Sequence, residues 1–182
     1  MASARGSLSW LPLGEHLDLV GSPVARAAAQ APSAHVATID ATLADTAAFC
    51  AAYEVSLDHS ANCVIVAARR GEVTRYAAVM VLATMRADVN GVVRRHLDAR
   101  RISFAPMEDA MRLTGMEFGG ITPVGLGPDW PVLVDRAVAA AGEVVIGSGV
   151  RTSKLLLDGH DLAGLPGAHV LDLSLADASP RS

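Results

Sequence analysis

Cysteine and aromatic residues are scarce in this chain of 182 residues, and their scarcity limits how the fold can be stabilised. The two cysteines, Cys50 and Cys63, stand apart without a CxxC pair or a Cys/His cluster, so neither a zinc site nor a disulfide framework is indicated. Aromatic residues make up only 4% of the sequence, so the core must consist of alanine, valine, leucine and isoleucine. The length predicts one domain that can bury such a core unaided.

Long apolar runs and excess positive charge are also missing. No apolar stretch reaches the length of a membrane-spanning helix, and the N-terminus lacks a basic region followed by an apolar signal segment. A net charge of −4 and a pI near 5.8 argue against a dedicated nucleic-acid binder, although they leave room for a local basic patch. We therefore expect a cytoplasmic protein with no membrane or DNA partner and with only transient RNA contacts.

Standard catalytic and nucleotide-binding motifs are absent as well. The sequence has no GxSxG elbow, no Walker loop and no HExxH helix, and Gly147-Ser148-Gly149 lacks the third glycine of a dinucleotide fingerprint. Six histidines are scattered along the chain, and no two of them have the spacing of metal ligands. The sequence therefore predicts neither a metal ion nor any other cofactor.

Glycine and proline are concentrated in one stretch, residues 114–131, which we call the glycine loop. It contains five glycines and three prolines. Glycine allows a close approach of the backbone and proline restricts its motion, so this composition predicts a rigid loop whose amides can hold a carbonyl or phosphate group. The alternative is a shaped connection between a helix and a strand that contacts no ligand.

Apolar patterning and turn signals predict interspersed helices and strands. Two β-branched segments, 62–68 and 73–84, flank Arg69-Arg70-Gly71-Glu72, which is typical of an antiparallel hairpin of central strands. Helices are expected at 45–53, 88–97 and 106–115, and further strands at 35–40, 101–104, 131–134, 143–146, 153–157 and 171–175. This order predicts an α+β fold, a curved mixed and largely antiparallel sheet or open barrel surrounded by helices. We divide the chain into an N-terminal arm with helices (1–30), the main domain (31–176) and a tail (177–182).

Positive charge is densest at residues 94–101, at the end of a predicted helix. Arg94, Arg95, Arg100 and Arg101 lie in this stretch, and we expect them on one exposed face. Arginines in a last helical turn can complement the helix dipole in solvent, or their guanidinium groups can bind the phosphates of an RNA backbone. Composition alone leaves both interpretations open.

Four segments in the same order resemble the YbaK family of aminoacyl-tRNA deacylases, which are related to the editing insertion of bacterial prolyl-tRNA synthetases. Gly119-Gly120-Ile121-Thr122-Pro123 resembles the GxxxP loop of the family, and Cys63 to Ala68 resembles its central strand. Trp130 to Asp135 is similar to its Pro-hydrophobic-Asp strand, and Ile146 to Arg151 is similar to its Ser-Gly-Gly-Lys-Arg turn. The similarity extends over residues 35–175.

The resemblance implies hydrolysis of the ester that joins a wrong amino acid to the 3′ end of a tRNA. The family holds the acyl carbonyl with backbone amides of its loop and uses no catalytic triad. The implied catalytic residues in the loop are Gly119, Gly120, Ile121, Thr122 and Pro123. The implied substrate-binding residues are Asp135, Ser148, Gly149 and Arg151, and the implied tRNA-binding residues are Arg94, Arg95, Arg100 and Arg101. On this basis, Gly120→Val is expected to abolish activity and to leave the fold largely intact.

The sequence departs from the family at one further catalytic position. The family has a lysine in its central strand, and the matching residue here is Asn62. The only lysine of the chain, Lys154, lies too far along the sequence for a shift of register. We predict that Asn62 faces the same pocket as the glycine loop and orients the 3′ end of the tRNA. Without the lysine, three explanations are open: an altered substrate, rescue by Arg151 or another basic residue, or lost catalysis with retained binding.

Three functions therefore remain open at this point. The first is a free-standing aminoacyl-tRNA deacylase, with aminoacyl-tRNA and an aminoacyl-tRNA synthetase as partners. The second is a non-catalytic module of the same fold that binds tRNA, a synthetase or a small ligand. The third is a hydrolase of small acyl compounds, for which the net negative charge is a mild argument. A homo-oligomer is compatible with each of them.

Overall fold

The computed structural model describes residues 3–176, so the tail that we set apart at 177–182 lies outside the described residues. This part of the chain contains eleven strands. They are β1 (Leu11–Pro12), β2 (His35–Thr38), β3 (Ala61–Arg70), β4 (Val73–Leu82), β5 (Met85–Ala87), β6 (Arg101–Phe104), β7 (Val132–Asp135), β8 (Glu143–Gly147), β9 (Ser153–Asp158), β10 (Ala168–Leu171) and β11 (Ser174–Ala176).

The helices are short and lie between the strands. The α-helices are α1 (Ser22–Arg26), α2 (Thr46–Tyr53), α3 (Arg94–His96), α4 (Met107–Thr114), α5 (Arg136–Ala139) and α6 (Gly159–Ala163). A π-helical turn, Val89–Val93, runs directly into α3, and short 3-10 helices occur at Leu13–Glu15, Leu17–Leu19, Ala28–Gln30, Ala41–Leu43 and Leu57–His59. No helix within residues 3–176 is both long and apolar enough to cross a membrane.

The strands form two main sheets and a small ribbon. The first sheet has the order β1-β2-β9-β8, the second has the order β10-β7-β4-β3-β6, and β5 pairs with β11. Strand β7 is parallel to both β4 and β10, while the other ladders within the described residues are antiparallel. The predicted α+β fold with a mixed, largely antiparallel sheet is therefore confirmed. The predicted hairpin is confirmed as β3 and β4, which pair from Ala61↔Leu82 to Arg70↔Val73.

Both faces of the second sheet are buried, which explains why β3 and β4 are almost continuously apolar. Alternation along β3 places Ile65 in the core between the two main sheets and Val66 in a second core, where Val89 and Val93 of the π-helical turn pack. A third cluster places Phe49 of α2 against the outer face of the first sheet. The layers are therefore α2, the first sheet, the second sheet and the helical segment 89–96.

Side-chain caps begin the helices near the predicted positions. Asp45 accepts a hydrogen bond from the amide of Ala47 at the start of α2, and Asp88 accepts from the amides of Gly91 and Val92. Gly115 ends α4 in the left-handed conformation, as its position after the helix predicts. These three helices were predicted from the sequence and are confirmed. A hydrogen bond between Thr46 and Asn62 links the start of α2 to the start of β3.

The predicted strand at 171–175 is wrong, because the chain changes sheets there. Strand β10 ends at Leu171 on the second sheet, and β11 begins at Ser174 on the ribbon with β5. The amides of Leu173 and Ser174 donate to the Asp135 carboxylate, at 3.0 and 2.9 Å, and this anchors the crossing. The N-terminal segment that we set apart packs with the main domain, since Leu13, Val20 and Val24 lie in the core between the sheets.

Candidate functional site

A cavity of about 760 Å³ opens where β3 of the second sheet approaches β8 of the first. We call it the inter-sheet cavity. Most of its wall consists of residues 44–47 at the start of α2, 60–65 at the start of β3, and 145–147 of β8. Lys154 of β9 also lines it. Both sheets and α2 therefore contribute to one concave site, as is typical of ligand-binding sites.

The glycine loop contributes Phe118, Gly119 and Ile121 to the wall of the inter-sheet cavity. The amide of Gly120 donates to the carbonyl of Glu117 at 2.9 Å, whereas the structure shows no partner within residues 3–176 for the amides of Gly119 and Ile121. Unpaired backbone donors at a cavity wall can hold an oxygen atom of a ligand. The loop therefore borders the cavity and leaves two donors available, as its composition predicted.

The other side of the glycine loop is pinned to the turn at residues 148–151. Gly149 donates its amide to the carbonyl of Gly120 at 2.7 Å, and the amide of Glu117 donates to the carbonyl of Gly149 at 3.0 Å. The Arg151 guanidinium donates to the carbonyls of Phe118 and Ala41 at 3.1 and 3.0 Å. This turn thus holds the loop in position at the cavity.

Asn62 lies on β3 in the cavity wall, together with both of its neighbours on the strand. Its Oδ1 atom accepts a hydrogen bond of 2.6 Å from the Thr46 hydroxyl. The contact ties β3 to the first residue of α2, beside the Asp45 cap. Asn62 and the glycine loop therefore border the same cavity, which agrees with the prediction for its location.

Lys154 also lines the inter-sheet cavity, which its position along the sequence did not indicate. It is only 7% exposed, its Nζ donates to the carbonyl of Ala44 at 2.9 Å, and Nζ lies 5.2 Å from the centroid of the Phe49 ring. Burial lowers the pKa of Lys154, and Arg151 acts in the same direction, while Cys50 and Asp45 oppose the shift. The antiparallel pairing of β8 with β9 places Lys154 opposite Gly147 and so brings it to the cavity. The feature of the sequence that could have identified Lys154 as a site residue is that a single lysine lies within an otherwise apolar strand.

Cys63 is the only thiol in the wall of the inter-sheet cavity within residues 3–176, but it is a poor nucleophile. Burial raises its pKa to about 12, so the reactive thiolate is rare at neutral pH. Burial also raises the pKa of Cys50. Covalent catalysis by a cysteine is therefore disfavoured.

We expect the native protein to react with Ellman's reagent at pH 8 at least about tenfold more slowly than the unfolded protein, since both thiols stay protonated in the fold. Any catalytic activity at the inter-sheet cavity should stay within about twofold of wild type in Cys63→Ala. Fast labelling of Cys63 in the native state, with loss of activity, would contradict this assignment.

A second concavity of about 630 Å³ lies on the surface and is rich in arginine. We call it the arginine groove. Arg69, Arg94, Arg100 and Arg101 line it together with Asn90, Thr74 and Ser103, whereas Arg95 is exposed but lies outside its lining. Within residues 3–176, Arg94, Arg100 and Arg101 form no ion pair in the structure, so their charges are available to an anion.

Strand β6 connects the two concavities. Arg101 and Ser103 line the arginine groove, and Phe104, the last residue of the same strand, lines the mouth of the inter-sheet cavity. Four strand residues span about 10 Å, so the two sites are close neighbours. Two of the three phenylalanines, Phe104 and Phe118, are 64% and 52% exposed at this mouth.

The comparison with protein families gives a decisive match. The model of the aminoacyl-tRNA editing domain matches residues 40–165, which is more than half of the chain. The chain belongs to the aminoacyl-tRNA editing domain family. The resemblance seen in the sequence is therefore confirmed, and the matched region includes the inter-sheet cavity, the glycine loop and the arginine groove.

Solved structures share the editing-domain fold. A candidate trans-editing enzyme for prolyl-tRNA synthetase is 22% identical with a TM-score of 0.70, and the match covers 85% of this chain and 99% of that chain. The hypothetical protein APE2540 is 23% identical with a TM-score of 0.71, covering 81% and 95%. A candidate signal transduction protein from Marinobacter aquaeolei VT8 is 16% identical with a TM-score of 0.58, covering 84% and 30%. At these identities the likeness establishes the fold alone. No curated protein matches the chain.

Several residues that the family resemblance implied for this editing domain lie away from the inter-sheet cavity. Thr122 and Pro123 are buried members of the glycine loop, and within residues 3–176 the Thr122 hydroxyl is the only buried side-chain polar atom without a hydrogen bond. Ser148 is fully buried and donates to the carbonyl of Ser153 at 2.9 Å. Gly149 and Arg151 hold the glycine loop from outside, and Asp135 anchors the crossing between β10 and β11. None of these residues lines the cavity, so contact with a substrate there is not supported for them.

The editing domain has no evident metal site in the part that the structure describes. No group of three or more His, Cys, Asp or Glu side chains is arranged to hold a metal ion. The polar residues that line the inter-sheet cavity are instead Asp45, Thr46, Ser60, Asn62 and Lys154, together with backbone amides of the glycine loop. These groups can hold and polarise an uncharged or anionic ligand.

Proposed function

We propose that this chain is a free-standing editing enzyme that hydrolyses the ester bond between a wrong amino acid and the 3′ end of a tRNA. The observation that carries the proposal is the pair of unpartnered amides, Gly119 and Ile121, at the wall of a cavity in an aminoacyl-tRNA editing domain. Such editing is needed because a synthetic pocket rejects a near-isostere by only about 1–3 kcal/mol. A cytoplasmic location follows from this role in translation.

In the proposed reaction, the acyl carbonyl of the ester lies against the amides of Gly119 and Ile121. The oxygen of a water molecule forms a bond to the acyl carbon, and negative charge develops on the carbonyl oxygen. The bond to the ribose oxygen then breaks, and that oxygen takes the proton that the water gives up. Each donor aimed at the developing oxyanion can lower the activation barrier by about 3 kcal/mol.

The arginine groove supports binding of the tRNA backbone. Arg69 lies directly opposite Arg101 in the β3–β6 ladder. Like charges in opposed positions destabilise a sheet, and an anion bound beside the two side chains would relieve this repulsion. Phosphates of the acceptor end would bind in the groove, and β6 would lead the unpaired 3′ end toward the inter-sheet cavity.

The exposed phenylalanines at the mouth support binding of the terminal base. Phe104 and Phe118 have more than half of their surface in solvent, in a chain that otherwise buries its third phenylalanine, Phe49, completely. Stacking of an unpaired base on an exposed aromatic ring contributes about 1–3 kcal/mol. The terminal adenine would stack on this pair, with its aminoacyl ester inside the cavity.

The direct test is a deacylation panel with the purified protein. The substrates are tRNAs charged with Cys, Ala, Ser, Thr or Pro, beginning with mischarged tRNA for proline, since one protein of similar fold is named for prolyl-tRNA synthetase. Release of one or two amino acids well above the uncatalysed rate is expected. Binding of tRNA without release of an amino acid from any substrate would contradict the enzyme and favour a non-catalytic binding module. Hydrolysis of small acyl esters alone would indicate a different hydrolase.

Charge reversal tests the arginine groove. Arg100→Glu combined with Arg101→Glu should weaken tRNA binding, and the slope of log affinity against log salt concentration should become shallower by about 1–2, because fewer counterions are released. The control is Arg112→Glu with Arg136→Glu, which changes the net charge equally at exposed arginines outside the groove. Equal effects of the two double variants would show that the groove affects tRNA binding only through the net charge of the protein surface.

A further inference from the structure

Lys154 is buried in a way that packing alone does not explain. Lysine is almost never fully buried without an ionic partner, since removal of an ammonium group from water is costly. Yet Lys154 is 7% exposed, and no carboxylate within residues 3–176 forms a salt bridge with it in the structure. The one acid in the described part of the chain that acts on its charge, Asp45, accepts a hydrogen bond from the amide of Ala47 as the cap of α2. A leucine or methionine would fill the same space at less cost, so a function for the charge is indicated.

The hydrogen bonds of Lys154 leave donors for a ligand. An ammonium group has three N–H donors. One of them donates to the carbonyl of Ala44, and the Phe49 ring covers another side of Nζ at 5.2 Å from its centroid. The structure shows no other hydrogen-bond acceptor for Nζ within residues 3–176, and the side chain forms part of the wall of the inter-sheet cavity.

Strand pairing connects Lys154 to the unpartnered amides of the glycine loop. Lys154 is the register partner of Gly147, so the two residues are one strand spacing apart. The loop lies directly against Gly147, because a Cβ atom on that glycine would be 2.5 Å from the carbonyl oxygen of Gly120 and 2.7 Å from that of Ile121. The absence of a side chain at Gly147 thus lets the loop approach the strand that neighbours Lys154.

We propose that Lys154 is a catalytic residue whose ammonium group donates a hydrogen bond to the acyl carbonyl oxygen of the ester bound in the inter-sheet cavity. The proposal rests on the proposed deacylase function of that cavity. Lys154 keeps its proton throughout: water adds to the acyl carbon, the bond to the ribose oxygen breaks, and the water proton ends on the ribose oxygen. The cation and the amides of Gly119 and Ile121 together stabilise the charge on the carbonyl oxygen.

The kinetic test compares two substitutions in the same strand. Lys154→Met removes the charge and retains the length and apolar stem, so it should fold with an unchanged or higher melting temperature. Its kcat should fall about 100-fold, while KM changes less than about threefold, because the contact strengthens in the transition state. The control is Leu156→Met, two residues further on the same strand, which alters packing without altering charge and should keep kcat within about twofold. A kcat for Lys154→Met within threefold of wild type would overturn the proposal and leave the deacylase function intact.

The pH dependence of kcat tests the charge state. The titratable and charged groups that act on Lys154 are Cys50 and Asp45 from the α2 segment and Arg151 from the 148–151 turn. If the ammonium form acts, kcat corrected for the uncatalysed reaction should fall as Lys154 loses its proton in alkaline solution. A corrected kcat that rises through the same titration would show that neutral Lys154 acts as a base, and it would overturn the proposed role.

The lone lysine also allows a direct test that does not depend on any variant. Protein labelled with ¹⁵N-lysine has a single side-chain Nζ signal, since Lys154 is the only lysine in the sequence. Titration with 3′-deoxy-3′-(alanylamino)adenosine, an amide that resists hydrolysis, should shift that signal to saturation, whereas adenosine alone should leave it nearly unchanged. Active wild-type protein with no shift would overturn the lysine contact alone. If no charged tRNA is hydrolysed, the deacylase function and the catalytic role of Lys154 both fail, whatever the signal does.

Discussion

Replacing Asp135 with alanine should lower the free energy of unfolding by about 4 kcal/mol. The carboxylate is 3% exposed and accepts hydrogen bonds from the amides of Ala137, Leu173 and Ser174. The substitution removes the cap of α5, which costs about 1 kcal/mol, and leaves two further donors without a partner at about 1–3 kcal/mol each. Thermal unfolding should show a decrease in melting temperature of about 8–16 °C for a domain of this size.

Activity measurements separate this structural role from the substrate-binding role that the family resemblance implied. Because Asp135 does not line the inter-sheet cavity, the folded fraction of Asp135→Ala should keep kcat and KM close to the wild-type values. The control is Asp172→Ala, which removes an exposed ion pair with Arg136 and should cost at most about 1 kcal/mol. A stable Asp135→Ala protein with a strongly raised KM would restore the substrate-binding interpretation.

Gly120→Ala should lower the free energy of unfolding by about 3 kcal/mol, at the upper end of the usual cost of overpacking. A Cβ atom on Gly120 would lie 2.4 Å from the carbonyl oxygen of Val150 and 2.6 Å from its carbonyl carbon. These are backbone atoms of the 148–151 turn, so they cannot rotate away, and the glycine loop must separate from the turn. Differential scanning calorimetry should show a decrease in melting temperature of about 6–12 °C.

Gly127→Ala is the matched control, because it lies in the same loop and its added Cβ would meet only the Trp130 ring, at 3.9 Å. It should change the melting temperature by less than about 2 °C, since it creates no collision. Wild-type stability of Gly120→Ala would contradict the packing argument. The expectation that Gly120→Val leaves the fold intact is wrong for the same reason, because the larger side chain meets the same backbone.

The helices and the hairpin were predictable because their signals are local. Asp45, Asp88 and Gly115 mark helix ends through caps that depend on a few neighbouring residues. The hairpin of β3 and β4 follows from two β-branched segments on either side of a short turn. The segment after β10 was mispredicted, because its course depends on hydrogen bonds to Asp135, almost 40 positions earlier in the chain.

The site was only partly predictable, because one glycine-rich pattern serves two purposes. Gly119 borders the inter-sheet cavity, whereas Gly120 and Gly149 are required by the close packing of the loop on the turn. Ser148 and Asp135 have the residue types of a polar site, yet their hydrogen bonds are with the backbone of the fold. Residue type and spacing did not distinguish these roles, since both need the same local chemistry.

The sequence by itself determined the α+β class, the hairpin, the glycine loop and the family, because each is encoded in contiguous residues. Only the tertiary structure decided which side chains share the inter-sheet cavity. Asn62 and Lys154 are 92 positions apart in the chain, yet the approach of β8 to β3 and the pairing of β8 with β9 bring both to one wall. The physical reason is that strand pairing and sheet packing join distant residues through backbone hydrogen bonds and apolar burial, which local sequence patterns do not specify.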